Sequence, residues 1–263
     1  MPISFAALVP HPPLTIPTIG KDKIDLVSRT INSFIKLSEL IYLTKIDTII
    51  IISGHGEVLD NAFSMNHSPK LNIDLTSFGD LTKYNPYTNN IGLSYQIREY
   101  IETRLPLTLF SDEKLDYGAG IPLFHLTTNM PKVKIIPITI SNLNYEKHIQ
   151  LGEYIKEVCF RSSERVAIIA SADLSHRLKE ESQAGFSEKG KEFDNLIIES
   201  LKNNKVNQLI NISPDLVKEA GTCGVRSLLV LLGVIKNMNY ETEVLSYEYP
   251  LGVGYLTVNF KLK

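Results

Sequence analysis

Three of the six histidines each come shortly after a run of apolar residues that is predicted to form a buried strand. They are His11 in the segment VPHPP, His55 in SGHGE and His176 in SADLSH. In an open α/β sheet the loops after the carboxyl ends of the strands face a common crevice, so we expect these side chains to lie near one another. Neutral imidazole is the commonest protein ligand of transition metals, and two histidines with one anionic ligand leave positions open for substrate or dioxygen. The pattern therefore indicates a metal site.

The neighbours of two of these histidines restrict the loops that carry them. Prolines flank His11 and limit its backbone, whereas glycines flank His55 and let the chain turn tightly there. Taken singly, each histidine fits equally well the ordinary role of a hydrogen-bonded structural residue near a strand end. Three histidines at one predicted edge favour the metal site over that alternative.

The segment EAGTCGVRS offers two candidates for the anionic ligand, Glu219 and Cys223. Cys223 precedes a predicted helix that begins near Val225, where the helix dipole and free N–H groups would favour a thiolate. The alternative is that Cys223 is a small buried apolar residue, which is a common fate of a free cysteine. These residues alone leave that choice open, whereas Cys159, inside a predicted helix, is assigned to packing.

His176 differs from the other two because polar residues surround it. Asp173 and Ser175 are expected to orient its imidazole by hydrogen bonding, which suits a general acid or base, although a third metal ligand is the alternative. Of the remaining histidines, His67 and His148 lie in polar surroundings and are predicted to be exposed to solvent. His125 is predicted to be either a core residue or part of the pocket wall.

Alternating apolar and helical segments predict how these residues are positioned. Strands are predicted over residues 3–9, 47–52, 132–140 and 165–171, helices over 21–43, 145–160, 186–201 and 225–236, and an antiparallel strand pair over 242–262. Residues 57–90 are the least regular and are predicted to form loops and short strands beside the site. The expected fold is a single α/β domain over residues 1–263, with a central, mostly parallel or mixed sheet and helices on both faces.

The composition excludes several classes of partner. With 27 basic and 29 acidic residues, a net charge of -2 and no long run of either sign, the chain lacks the charge pattern of proteins that bind nucleic acid or anionic membranes. Neither a signal peptide nor an apolar run long enough to cross a bilayer is expected. Two cysteines in different contexts argue against disulfides, so a cytoplasmic setting is expected.

Six segments, in order, resemble one known family: AALVPHPPLTIPTIG, SGHGE, LDYGAGIPLFHL, SADLSHRLKEESQAGFSEKGKEFD, EAGTCGVRSLLVLLG and SYEYPLGVGYLTVNF. They are similar to the subunit-B-like domain of class III extradiol dioxygenases, and most of all to the branch that contains the Memo proteins and AmmeMemoRadiSam system protein B. The resemblance runs from about residue 3 to residue 260.

The resemblance implies a role for most of these residues. His11 and His55 fall on the metal histidines of the family, His176 on its acid/base, and Cys223 on the position of the metal-binding glutamate, with Glu219 as the alternative. Tyr117 stands where ring-cleaving members usually have a histidine. Together with His125 and Asp173, it is expected to contact the substrate.

The resemblance also implies a cofactor and partners. The cofactor is expected to be a divalent metal, Fe(II) before copper or zinc. The substrate is expected to be a small molecule, with aromatic compounds among the candidates, in an oxidoreductase reaction. A soft sulfur ligand in place of a carboxylate would change the metal preference. Ordinary catechol cleavage, a metal-dependent hydrolase and a metal-binding partner protein remain alternatives. Homo-oligomers and partner proteins of the AmmeMemoRadiSam system are further candidates.

Overall fold

Four strands rich in isoleucine, valine and alanine form the parallel centre of the sheet. The computed structural model describes residues 2–263, and these four strands are β1 (Ile3–Val9), β2 (Thr48–Ser53), β8 (Lys134–Thr139) and β9 (Val166–Ser171). They pair side by side in the order β1-β9-β2-β8. Every residue of β2 is buried, as expected for a parallel strand that is covered on both faces.

The remaining strands extend this centre on both sides. They are β3 (Phe63–Asn66), β4 (Lys70–Ile73), β5 (Tyr87–Asn89), β6 (Leu107–Phe110), β7 (Lys114–Leu115), β10 (Tyr240–Glu248) and β11 (Tyr255–Leu262). The hairpin β10-β11 pairs antiparallel with β1, while β5 pairs parallel and β3 antiparallel with β8. The result is a mixed sheet of 11 strands within the described residues.

Helices cover both faces of this sheet. They are α1 (Pro17–Gly20), α2 (Ser28–Thr44), α3 (Ile91–Ile101), α4 (Tyr117–Leu126), α5 (Tyr145–Arg161), α6 (Glu188–Lys202), α7 (Val206–Ile210), α8 (Pro214–Ala220) and α9 (Val225–Ile235). Side chains alternate along a strand, so Ile50 and Ile52 enter the core under α3, α5, α6 and α9, whereas Ile49 and Ile51 enter the core under α2 and α4. The predicted single α/β domain with a mixed sheet and helices on both faces is confirmed.

Most predicted elements are present with small shifts at their ends. The predicted helix 21–43 is divided, because a 3-10 helix, Lys21–Val27, precedes α2. The irregular stretch 57–90 contains three short strands, as expected. No helix among residues 2–263 is both long and apolar enough to cross a membrane.

The parallel register brings the ends of three strands to one edge. Val9 at the end of β1 is level with Ser171 at the end of β9, and Ile52 of β2 is level with Ala170. The loops that begin after these strands therefore leave the sheet side by side, and the loop between α8 and α9 meets them there.

Candidate metal centre

Three side chains from three of these loops converge at this edge. The nearest ligand atoms of His11, His55 and Cys223 all lie within 4.8 Å of one another. Nε2 of His11 is 3.0 Å from Nε2 of His55 and 3.5 Å from Sγ of Cys223. His11 is buried and the other two are partly buried, so the cluster lies in a recess below the surface.

A serine at the end of β9 fixes the orientation of the His11 ring. Nδ1 of His11 is 2.8 Å from Oγ of Ser171, and the hydroxyl of Ser171 itself donates to the carbonyl oxygen of Gly118. A hydroxyl has one proton, so Ser171 can only accept from His11, and the proton of the imidazole must be on Nδ1. Nε2 of His11 is thereby left with a free lone pair that points towards the cluster, as in metal-binding histidines whose other nitrogen donates to an outer group.

Pro122 makes this arrangement possible. In a continuous helix the carbonyl of Gly118 would accept the N–H of the residue four positions later, but that residue is Pro122, which has no N–H. The carbonyl is therefore free to accept the Ser171 hydroxyl. Proline inside α4 thus contributes, through Ser171 of β9, to the orientation of His11 in the loop after β1.

His55 is held by the start of α4. Its backbone N–H donates to Oγ of Ser53, at 3.1 Å, and that hydroxyl donates to Asp116, at 2.6 Å. Asp116 is the N-cap of α4 and also accepts from the backbone N–H of Ala119. The hydroxyl of Tyr117 lies 2.9 Å from Nδ1 of His55. The His55 loop and the helix that carries Tyr117 are therefore tied together.

The two metal-candidate imidazoles are neutral at physiological pH. Burial lowers the pKa of His11 to about 3, and the charge of His176 lowers it further. Burial lowers the pKa of His55 to about 4, with a further contribution from His11. The 3.4 Å approach of His11 to Asp173 is consequently a contact of a neutral ring with a carboxyl group and not an ion pair. A neutral imidazole can bind a cation without first releasing a proton.

Cys223 differs from its expected state. Burial raises the pKa of its thiol well above the usual range, and the nearby charge of Asp173 raises it further. The expectation that the start of α9 would favour a thiolate is therefore wrong for the metal-free chain, because desolvation outweighs the helix dipole. A bound cation would have to displace the thiol proton, as it does in cysteine metal sites generally.

His176 lies at the border of the cluster. Its Nε2 is 4.0 Å from Sγ of Cys223, and its side chain is partly exposed. The expected hydrogen bond from Ser175 is absent from the described contacts, since the Ser175 hydroxyl donates to the carbonyl of Ala220. Asp173 instead accepts from the backbone N–H of His11, at 2.9 Å. Burial raises the pKa of Asp173 to about 6. Asp173 therefore holds the His11 loop beside the cluster, and its interaction with His176 is electrostatic.

Three predicted or alternative residues lie elsewhere. Glu219 is exposed and faces Arg177 at 3.5 Å, so it does not join the cluster that contains Cys223. His125 stacks on Phe34 with ring centroids 4.6 Å apart, and it lines neither of the cavities beside the cluster, so the core alternative fits it. The predicted exposure of His148 is wrong, because this residue is fully buried and its Nδ1 donates to the carbonyl of Asn144 at the start of its own helix, at 2.9 Å.

Two cavities border the cluster. The first, the His55 cavity, has a volume of about 380 Å³ and is lined by His55, Tyr117 and acidic residues such as Asp74 and Asp112. The second, the Cys223 cavity, has a volume of about 210 Å³ and is lined on one side by Cys223. A larger cavity of about 770 Å³ near Tyr42 lies at the amino-terminal edge of the strands, away from every candidate ligand.

The donor set fits a transition metal. Two neutral imidazoles and a sulfur are close enough to share one cation, and His11 is already in the required tautomer. In the metal-free state His55 must donate from Nε2 to the lone pair of His11, and its Nδ1 then accepts the hydroxyl proton of Tyr117. Binding through Nε2 would move the His55 proton to Nδ1, where the oxygen of Tyr117 can accept it.

The sequence profile of the catalytic LigB subunit of aromatic ring-opening dioxygenases matches residues 5–258. The chain belongs to the LigB family. Among curated relatives, protein CA_C1420 of Clostridium acetobutylicum is 30% identical over 259 residues, which cover 94% of this chain and 55% of the relative. A MEMO1 family protein of Methanococcus maripaludis strain C6 is 25% identical over 207 residues, which cover 71% of this chain and 64% of the relative.

The chain thus spans only about half to two thirds of the length of these curated relatives. A second MEMO1 family protein, from Methanocaldococcus jannaschii, is 27% identical over 137 residues, which cover 48% of this chain and 44% of the relative. The structure of an uncharacterized protein, JW3007, from Escherichia coli K12 superimposes with a TM-score of 0.71 at 15% identity, covering 97% of this chain and 99% of that one. At this identity the likeness concerns the LigB fold alone.

Several supporting residues of this LigB-family site were not singled out from the sequence. Ser53 and Ser171 each end a central strand, and Asp116 directly precedes Tyr117. A polar residue that ends an otherwise apolar buried strand is a signal that could have identified both serines. Pro122 gave no such signal, because its effect depends on the carbonyl of Gly118 being next to β9.

Proposed function

We propose that this LigB-family chain binds a divalent metal ion through His11, His55 and Cys223 and uses it in a redox reaction of a small molecule. One observation carries the proposal: three ligand atoms of metal-binding types from three separate loops lie within 4.8 Å of one another. Two of these side chains have pKa values lowered by burial, so they are ready to donate lone pairs. Fe(II) is the expected ion, with copper or zinc as alternatives.

A metal bound here would supply Lewis acidity and electron transfer to a coordinated substrate. The residues of the chain would supply orientation and proton transfer. Ser171 holds the His11 ring, and Tyr117 contacts His55 from the wall of the His55 cavity. Asp173 holds the loop of His11 through its backbone N–H.

His176 is the proposed proton acceptor or donor. It lies beside Cys223 without being one of the three clustered ligands, and its side chain is partly open to solvent. An imidazole exchanges protons near neutral pH, which is the requirement for a general acid or base. Tyr117 cannot replace it, because burial raises the pKa of its hydroxyl above the ordinary value.

Catechol ring cleavage is the second candidate, and the match to the catalytic subunit of aromatic ring-opening dioxygenases favours it. Two residues argue for a different reaction. Cys223 supplies sulfur where a carboxylate is expected, and Tyr117 supplies a hydroxyl where ring-cleaving members usually have a histidine. Partner proteins, homo-oligomers and the cytoplasmic setting stay predictions.

The test begins with elemental analysis of protein purified without a metal-affinity tag. We expect one metal ion per chain, and its loss in a variant with both His11→Ala and His55→Ala. Anaerobic reconstitution with Fe(II) and oxygen-uptake measurements with a panel of catechols then separate the two candidates. A ring-cleavage chromophore would favour the dioxygenase, whereas failure to bind iron, copper or zinc would contradict the metal proposal itself.

A further inference from the structure

The Cys223 cavity is lined by one cationic side chain, and no carboxylate among the described residues pairs with it. Arg226, three residues after Cys223, lines this cavity of about 210 Å³. Its Nε atom is buried and has no hydrogen-bond partner. Across residues 2–263, no contact pairs its guanidinium with a carboxylate, whereas Arg177, in the neighbouring loop, faces Glu219. Leaving a guanidinium nitrogen buried and unpaired costs free energy unless a ligand completes it.

The walls of the Cys223 cavity supply no negative charge of their own. The residues that line it are Gly54, Val58, Ile140, Asn142, Tyr145, Val217, Thr222, Cys223, Val225 and Arg226. None of these is an aspartate or a glutamate. The His55 cavity is the opposite, because Glu57, Asp74 and Asp112 line it. The two cavities beside the cluster therefore differ in charge.

Two other polar side chains of the wall, Asn142 and Thr222, already have partners. The side-chain amide of Asn142 donates to Asp60, at 2.8 Å. The hydroxyl of Thr222 donates to the carbonyl of Asp173 and accepts from the N–H of Gly224. Arg226 is the cationic donor of this wall, and its Nε still has an unused hydrogen bond.

Packing holds Arg226 in place. Its guanidinium carbon lies 5.8 Å from the centroid of the Tyr145 ring, and no side chain caps the first turn of α9, to which Arg226 belongs. Its charge also acts on buried groups nearby: after burial, it is among the causes that lower the pKa of His148. A fixed, unneutralised guanidinium at the first turn of a helix is suited to binding an anion.

We propose that the Cys223 cavity binds an anionic group of the substrate, a carboxylate or a phosphate, through the guanidinium of Arg226. This inference rests on the proposed function, because it places the substrate between that anchor and the metal cluster. The cavity volume limits the anchored part to about the size of one ring or a short chain. Binding energy at Arg226 would select substrates that carry the anion and would fix which end faces Cys223.

Binding of simple probes to the metal-free chain tests this inference. Benzoate, phenyl phosphate and the neutral benzyl alcohol are titrated by NMR in the presence of a chelator. We expect the anions to bind more tightly than benzyl alcohol, and Arg226→Met to weaken anion binding by roughly tenfold or more, with part of the affinity kept in Arg226→Lys. The stronger of the two anions identifies the group as carboxylate or phosphate.

Matched variants separate an anion site from loss of structure. Arg177→Met removes a nearby arginine that already faces Glu219, and it should leave anion affinity unchanged. Val58 is a partly exposed residue of the cavity wall, so Val58→Glu should fold and displace the anion from Arg226, whereas Val58→Gln should not. Equal anion affinity in wild type and Arg226→Met, or no preference for anions over benzyl alcohol, would overturn the inference.

Metal content is measured on separate, chelator-free samples of the same proteins, so the two proposals fail separately. A chain that binds benzoate through Arg226 but no metal contradicts the proposed function and supports the anion site. A chain that binds metal but shows no anion preference contradicts the anion site alone.

Discussion

Pro122 leaves the carbonyl oxygen of Gly118 without a helical donor, and the hydroxyl of Ser171 donates to that oxygen instead. Ser171 then accepts from Nδ1 of His11, which leaves Nε2 of His11 free to bind a cation. One series of hydrogen bonds thus links the carbonyl that Pro122 of α4 leaves free, through Ser171, to the candidate metal ligand His11. The first prediction follows from it.

Replacing Ser171 by alanine should weaken metal binding while the fold is kept. Without the hydroxyl, the His11 proton is no longer fixed on Nδ1, and losing such an outer partner typically costs about 10- to 100-fold in metal affinity. Competition with a chromogenic chelator measures the affinity. Ser141→Ala is the control, because Ser141 is also a buried serine just after a central strand. Its hydroxyl accepts from the backbone N–H of Leu143, whereas that of Ser171 accepts from a histidine. Equal losses in both variants would contradict the role of Ser171.

Cys223 and Glu219 are distinguished by a second pair of variants. Cys223 lies in the cluster, whereas Glu219 is exposed beside Arg177. Cys223→Ser should therefore lower metal affinity by more than the roughly 10- to 100-fold cost of an outer-shell change, and Glu219→Gln should leave it unchanged. Both variants are titrated with metal, and binding is monitored by the ultraviolet absorption of the sulfur–metal bond. If Glu219→Gln were the damaging variant, Cys223 would have to be assigned to packing.

Gly118 is predicted to be intolerant of a side chain. A Cβ atom there would lie 2.6 Å from Oγ of Ser53 and 2.8 Å from Cδ2 of His55, both of which are held in place by other contacts. Gly118→Ala should lower the free energy of unfolding by about 1–3 kcal/mol and also weaken metal binding. Urea denaturation and metal titration measure the two effects.

Gly92→Ala is the matched control for this substitution. Gly92 lies in the first turn of α3, and the nearest atom that its added Cβ would meet outside the helix's own backbone, among residues 2–263, is Oδ1 of Asn90 at 3.8 Å, an ordinary contact distance. There alanine should stabilise the helix by up to about 1 kcal/mol. A Gly118→Ala variant that is as stable as Gly92→Ala and binds metal normally would show that the loop can move aside.

The central strands and the clustering of His11 with His55 could be predicted from the sequence because both depend on local pattern. Apolar runs identified β1, β2, β8 and β9, and the histidines after two of them belong to the cluster. The helix α4 was harder to predict, because Gly118, Gly120 and Pro122 are residues that weaken helices. The Asp116 cap and burial between the sheet and α2 stabilise it, and that burial depends on the whole fold.

The protonation state of Cys223 and the burial of His148 could not be predicted from the neighbouring residues in the sequence. Cys223 precedes a helix, as predicted, but its desolvation depends on residues from the loops after β1 and β9. His148 lies among polar residues in the sequence, yet it is at the start of α5 with its ring edge against Phe63. In both cases long-range packing outweighs the chemical character of the neighbouring residues.

His176 is expected to affect turnover and not metal content. Its ring is near Cys223 but outside the three-ligand cluster, so His176→Ala should keep the metal and lower the rate by about 100- to 10,000-fold, the usual contribution of a general acid or base. Elemental analysis and steady-state rates across pH measure the two quantities. Loss of metal in this variant would mean that His176 is a ligand, and partial rescue of the rate by added imidazole would support proton transfer.

Asp194 provides a prediction about stability and pH. This buried carboxyl accepts from the backbone N–H of Ser175 at 2.8 Å and from the hydroxyl of Tyr247 at 2.7 Å, and so holds the loop that carries Asp173 and His176. Burial raises its pKa to about 7, against the opposing effect of these two hydrogen bonds. An acid whose pKa is higher in the folded chain stabilises that chain fully only below the unfolded pKa, near 4.

Between about pH 4 and pH 7 the unfolded chain releases this proton more readily than the folded chain, so unfolding becomes more favourable as the pH rises. Asp194→Asn has no such proton, and it should gain a few kcal/mol relative to wild type over this window, at about 1.4 kcal/mol per pKa unit. Urea denaturation of both metal-free proteins at pH 4, 5.5, 7 and 8, roughly spanning the titration, measures the difference.

The sign of this effect can be checked against a second carboxylate. Hydrogen bonds from Thr76 lower the pKa of Asp74 to about 2, so its contribution to stability is present above its unfolded pKa and is lost as the pH falls towards 2. The stability advantage of wild type over Asp74→Asn should therefore be present at neutral pH and disappear as the pH falls towards 2, whereas the advantage of Asp194→Asn over wild type should grow as the pH rises from 4 to 7. Asp194 belongs to α6 and is enclosed by β10 and the loop after β9, which is why its pKa is expected to be raised. If the free energies of unfolding of wild type and Asp194→Asn changed with pH in parallel, water would have to reach this carboxyl and keep its pKa ordinary.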